Sequence, residues 1–137
     1  MSEIDRAQKS IRAGAYKFES REIAEALVRA KERGLDVAVV MDTRNSKYKK
    51  SLRDELASRG VSVFVDGKHA IFHNKVMVID DRVVLTGSFN YKDDAENDNA
   101  ENMLRLESAE LARRYAADWE KHRAHAKPVP SKPINCN

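Results

Sequence analysis

The seven residues Asp36–Asp42, DVAVVMD, constrain the fold more than any other stretch of the chain. Between the two aspartates every residue is apolar, and most are β-branched. A run of this kind, too short for a buried helix, reads as a strand covered on both faces. Upstream, Ile23, Leu27 and Ala30 share one helical face. Ser20 stands at the N-cap position of that helix, and Gly34 supplies a left-handed stop. Ala13 to Phe18 reads as a strand before the helix. The β-α-β succession argues for parallel strands with helices packed on the sheet.

The flanking segments extend the pattern. Ile4, Ala7 and Ile11 fall on one face and predict an amphipathic helix over 3–12. Thr43–Ser51 is a polar, basic loop leading into a helix that carries Leu52 and Leu56 and stops at Gly60. Val61–Val65 is the next strand, closed by the turn signal Asp66-Gly67. Lys68–Phe72 leads into a hairpin. A loop rich in Asp and Asn, 92–99, precedes a strand over 101–106. Ser108 caps a last helix whose buried stripe is Leu111, Tyr115 and Trp119, more plausibly core than a base-stacking platform. The fold class is therefore α/β, a mixed β-sheet flanked by helices on both faces, in a single domain over 1–126. Residues 127–137 hold all three prolines and form an extended or disordered tail.

The hairpin carries the chemistry. His73–Asn90 reads HNKVMVIDDRVVLTGSFN. His73 and Lys75 stand two apart and share a face of a strand, as do Ser88 and Asn90. If Asp81-Arg82 are the central residues of a two-residue turn, paired positions sum to 163. Lys75 then lies opposite Ser88, and His73 opposite Asn90, with Cβ atoms about 4.5–5.5 Å apart. That gathers an imidazole, an ammonium, a hydroxyl and an amide. Imidazole can attack an electrophile or move protons near neutral pH, and the other three donate to phosphate oxygens. Asp80 has the other parity and sits near the turn as a brace. No carboxylate or thiolate accompanies the four, so the pattern calls for no metal and no cofactor.

His73, Lys75 and Asp80 spell H-x-K-x4-D, and Gly87-Ser88-Phe89-Asn90 spells G-S-x-N. Together they resemble the signature of the phospholipase D superfamily. The short chain and Glu101, thirteen residues after Ser88, resemble its bacterial Nuc-type endonuclease branch. Members commonly open with an extended strand, whereas this chain opens almost at a helix. Members also use two H-x-K-x4-D motifs per site, and short ones build it across a two-fold dimer. The resemblance thus implies a homodimer in which His73 of one protomer attacks phosphorus and His73 of the other protonates the leaving oxygen. The two imidazoles would titrate as a coupled pair and give a bell-shaped pH–rate profile. Lys75, Ser88 and Asn90 would hold the non-bridging oxygens. Glu101 would orient a His73 ring, with Glu96 a weaker candidate.

Taken singly, these residues have ordinary explanations. His-x-Lys alone would be a solvated strand face, Ser88 and Asn90 turn residues, and Glu101 a surface residue. Arg44, Lys47, Lys49, Lys50 and Arg53, with Tyr48 among them, could follow a nucleic-acid backbone or simply form a solvated face. His69 is a further candidate for substrate contact. His122 and His125 are placed on the surface or at the C-terminus of the last helix.

A net charge of +3 permits a polyanionic substrate without demanding one. The single cysteine, Cys136, allows no internal disulfide. No apolar run reaches about 18 residues, so no membrane span is expected. The chain as given reads as cytoplasmic, or as periplasmic or secreted if a leader was removed. The expected activity is metal-independent hydrolysis of nucleic acid, with DNA favoured and RNA admitted. Its rivals are a phospholipid phosphodiesterase with the same chemistry and a non-catalytic nucleic-acid-binding module.

Overall fold

The apolar run Asp36–Asp42 is a strand, β2, and every residue after Asp36 in it is buried. It lies inside a mixed sheet of a computed structural model that describes residues 2–16, 18–47, 51–67, 75–87 and 103–130. The other strands are β1 (Ser10–Ala15), β3 (Ser62–Asp66), β4 (Lys75–Ile79), β5 (Val83–Gly87), β6 (Met103–Glu107) and β7 (Lys127–Pro128). Their spatial order is β6-β5-β4-β1-β2-β3-β7. β1, β2 and β3 run parallel, while β4 is antiparallel to β1 and begins the meander β4-β5-β6.

Helices cover both faces. On one side are α1 (Ser2–Arg6), α2 (Arg21–Glu32) and α4 (Arg53–Ser58). Ile4, Leu27 and Leu56 meet Ile11, Val37, Val39, Met77 and Ile79 there in the main core. On the other side lies α5 (Ala109–His125), with Trp119 against Ala38 and Val40 and Ala112 against Val76, Val78 and Val84. A one-turn helix, α3 (Thr43–Ser46), follows β2 directly.

Local signals explain the long helices. Ser20 accepts from the Ile23 N–H and Ser108 from the Leu111 N–H, so each caps the helix it precedes. Gly34 and Gly60, just past α2 and α4, have φ of 93° and 97°, where a Cβ would be strained.

Four expectations are corrected. The helix foreseen over 3–12 stops at Arg6, and Ser10–Ala15 is strand, ahead of the 13–18 expected. Tertiary partners decide this. The Arg33 guanidinium donates to the carbonyls of Ile4 and Ala7, and the Asp80 carboxylate accepts from the N–H groups of Gln8, Lys9 and Ser10. Those N–H groups would otherwise have continued the helix ladder.

The hairpin register differs by one residue. Val76 pairs with Thr86 and Ile79 with Val83, so described pairs sum to 162 (76 + 86, 79 + 83) and not 163. Asp80 and Asp81 have φ of 56° and 53°, and the Arg82 N–H donates to Ile79 O at 3.0 Å. This is the sign pattern of a type I′ turn, with Arg82 left as an extra residue before β5. Its carbonyl accepts from the Ser108 N–H at 2.8 Å.

The stripe on the last helix is also different. Trp119 is buried, but Leu111 and Tyr115 are 37% and 36% exposed, and Ala112 takes the inward position instead. Last, the segment from 127 does not leave the domain at once: β7 pairs with β3, and the Val129 N–H donates to Val63 O at 2.8 Å.

Ion pairs hold α1 in place. Arg105 on β6 hydrogen-bonds Glu3 at 2.9 Å and holds its carboxyl below the ordinary range, and Arg29 on α2 does the same to Asp5. The Trp119 indole N–H donates to Ala13 O at 2.8 Å, tying α5 to the centre of the sheet. Trp119→Phe keeps most of the packing and removes that donor. It is expected to lower the unfolding free energy by about 1–2 kcal/mol, read from the midpoint of urea denaturation at unchanged slope.

Candidate active site

Chain direction places the candidate site at one edge of the sheet. β1, β2 and β3 are parallel and end there at Ala15, Asp42 and Asp66. β4 is antiparallel to β1 and pairs Lys75 with Ala15, so it begins at that edge. β5 returns and ends at Gly87, which pairs with Met103, the first residue of β6. In open α/β sheets, ligands commonly bind outside the carboxyl ends of the parallel strands.

The backbones of Lys75 and Gly87 thus stand at this edge on neighbouring strands. His73, Ser88, Asn90 and Glu101 lie outside the described residues, as do Lys49, Lys50, His69 and Glu96. Along the chain His73 is two residues before Lys75, Ser88 is one after Gly87, and Glu101 is two before Met103. The expected pairings of Lys75 with Ser88 and of His73 with Asn90 fall outside the described ladder.

Asp80 stands at the far end of the hairpin from Lys75. Its carboxylate accepts three backbone N–H groups at the start of β1, with a shortest distance of 2.7 Å to Lys9 N, and its own N–H donates to Ser10 O at 2.8 Å. These bonds fix the hairpin lengthwise against β1 and so set where Lys75 falls opposite Ala15. The arrangement is positional and leaves Asp80 remote from the edge where β4 begins.

Arg44 and Lys47 are exposed just beyond the carboxyl end of β2. Beneath them, the edge is acidic and buried. Asp42 and Asp66 are opposite each other in the parallel ladder, and both are fully buried. The Thr43 hydroxyl donates to Asp66 O at 2.7 Å, and the Ser46 hydroxyl donates to Thr43 O at 2.8 Å. His122 and His125, expected at the surface or interacting with the helix end, are instead half-buried against Asp66. The spacing of the two histidines, three apart on a helix, was visible in the sequence. Their acidic partner on a distant strand was not.

Comparison with known proteins agrees with this architecture. The family described as "Cardiolipin synthase, PLD-like domain" matches residues 1–123. A phospholipase D of Rickettsia felis is 40% identical over 123 residues, which are 90% of this chain and 62% of that protein. The chain thus spans less than two thirds of that relative's length. Among solved structures, Nuc from Salmonella typhimurium, a phospholipase D family member, superposes with a TM-score of 0.92 at 35% identity, covering 95% of this chain and 88% of its own. NucT from Helicobacter pylori gives 0.85 at 25% identity, covering 93% and 87%. Among the described residues, no helix is long and apolar enough to cross a membrane.

Asp80→Asn tests the brace. Asparagine tolerates the left-handed backbone but has one acceptor oxygen and no charge for three N–H groups. A loss of about 1–2 kcal/mol in unfolding free energy is expected, together with faster amide exchange at Gln8, Lys9 and Ser10.

Proposed function

The chain belongs to the phospholipase D superfamily, in its Nuc-type branch, and on that premise we propose that it is a phosphodiesterase that cleaves nucleic acid, with DNA favoured. The observation that carries this reading is the convergence at one sheet edge. β4 begins there at Lys75, β5 ends there at Gly87 and β6 begins there at Met103, each within three residues of a motif side chain. The exposed Arg44 and Lys47 at the carboxyl end of β2 support a phosphate-bearing polymer as substrate.

In the proposed reaction, His73 attacks phosphorus and forms a phosphohistidine as the P–O bond to the leaving group breaks. His73 of a second protomer donates a proton to the departing oxygen, then takes one from the water that hydrolyses the intermediate. Lys75, Ser88 and Asn90 hold the non-bridging oxygens, and Glu101 orients an imidazole. No step needs a metal ion. One H-x-K-x4-D motif per chain supports a two-fold dimer. Leu104, Leu111 and Tyr115, large apolar side chains exposed on β6 and α5, are candidates for contact with the second copy.

Plasmid nicking in excess chelator, wild type beside His73→Ala, tests the chemistry. Cleavage should persist with chelator and fall by at least about 10^3-fold in the variant. Full activity in His73→Ala would sink the mechanism. Mixing equal amounts of wild-type and His73→Ala chains under exchange tests the shared site, because about a quarter of random dimers keep both histidines. Activity tracking the wild-type fraction linearly would point to a self-sufficient protomer.

The R. felis relative's name supports a second reading, a phospholipid phosphodiesterase. Head-group release from phospholipid vesicles without plasmid nicking would select it. Salt-dependent DNA binding with no phosphohistidine on rapid quench would select a non-catalytic binding module.

A further inference from the structure

Asp66, the last residue of β3, is fully buried, and two imidazoles turn toward one of its oxygens. His122 Nδ1 lies 3.5 Å from Asp66 Oδ2, and His125 Nε2 lies 3.2 Å from the same atom. One ligand atom from each of the three residues falls within 4.8 Å of the other two. The rings meet edge to face, with centroids 5.6 Å apart. We propose that Asp66, His122 and His125 form a zinc-binding site that fastens the C-terminal turn of α5 to the end of β3.

Three observations point the same way. The first is spacing. Ligand atoms about 2.05 Å from a tetrahedral ion stand about 3.3–3.4 Å apart, and the two measured separations bracket that value.

The second is the surrounding shell. His122 presents its other nitrogen, Nε2, 3.6 Å from Asp118 Oδ2, one helical turn back on α5. A carboxylate on the far nitrogen is the usual device for orienting a metal-binding imidazole and raising its basicity.

The third is charge. Two buried carboxylates, Asp42 and Asp66, lie side by side where β2 and β3 end. The last turn of α5 brings the negative end of the helix dipole to the same place. A divalent cation suits this negative surrounding. Two imidazoles and one carboxylate suit zinc and leave one coordination position for solvent.

The site lies apart from the proposed phosphodiester chemistry. β1 and β2 stand between β3 and β4, which puts Lys75 about 14 Å across the ladder from Asp66. Zinc would instead anchor the point where the chain leaves β3 toward His69 and His73.

The test uses the whole chain, stripped of metal and titrated with zinc chloride by calorimetry, with cobalt chloride as an optical probe. One ion per chain is expected, with the visible bands of a tetrahedral cobalt site and a rise in Tm on zinc addition. Binding should vanish in His122→Gln/His125→Gln and weaken by about tenfold in Asp118→Asn. Absence of saturable binding would overturn the proposal. So would binding kept in the double variant but lost in His69→Gln or Cys136→Ser. If the double variant does not fold, X-ray absorption on zinc-loaded wild type decides the matter. Two imidazole nitrogens and carboxylate oxygen support the site, while sulfur or a single imidazole excludes it.

Discussion

Everything in this molecule depends on β1 being paired on both sides. β2 joins one side in parallel and β4 joins the other antiparallel, so β1 is the seam between a β-α-β half and a meander half. With helices on both faces, every side chain of the strand but the half-buried Arg12 is buried. Ile11, Ala13 and Ala15 go into the core beneath α1, α2 and α4, and from the other face Trp119 reaches its backbone. Burying a side chain such as Ile11 is worth about 1.5–3 kcal/mol. Ladder pairing with both neighbours also satisfies its backbone in an interior where an unmatched group is costly.

That seam determines where chemistry can occur. A parallel strand and an antiparallel neighbour share one edge, where the former ends and the latter begins. Lys75 opposite Ala15 marks that edge, and the Asp80 carboxylate at the other end of the hairpin sets the alignment. Asp80 can therefore belong to the same short motif as His73 and Lys75 while standing at the opposite end of the hairpin from Lys75. It controls the longitudinal position of the strand on which Lys75 lies. The same edge carries exposed cations at Arg44 and Lys47 above buried carboxylates at Asp42 and Asp66, so charge is separated by depth.

Much of the framework could be read from residue order, because it rests on local physics. Ser20 and Ser108 cap helices with their own side chains, Gly34 and Gly60 end helices by accepting positive φ, and DVAVVM can only be a doubly covered strand. The candidate site could be nominated from the sequence for a different reason: His73, Lys75, Ser88 and Asn90 fall within eighteen consecutive residues (73 to 90). What misled was periodicity read without partners. Ile4, Ala7 and Ile11 do fit a helix, but Arg33 and Asp80 take the carbonyls and N–H groups that a longer helix would need. Leu111 and Tyr115 fit a buried stripe with Trp119, yet the smaller Ala112 faces Val78 and Val84.

The amino-acid order alone therefore determined the α/β class, the caps of α2 and α5, the stops of α2 and α4, and the hairpin that bears the motif. Each of these is settled by groups a few residues apart. Only the tertiary structure decided the hairpin register, the point at which α1 gives way to β1, and the meeting of Asp66 with His122 and His125. Those outcomes depend on hydrogen bonds and charges between residues distant along the chain (33 to 4, 80 to 8, 122 to 66), and no local pattern encodes which distant group will arrive.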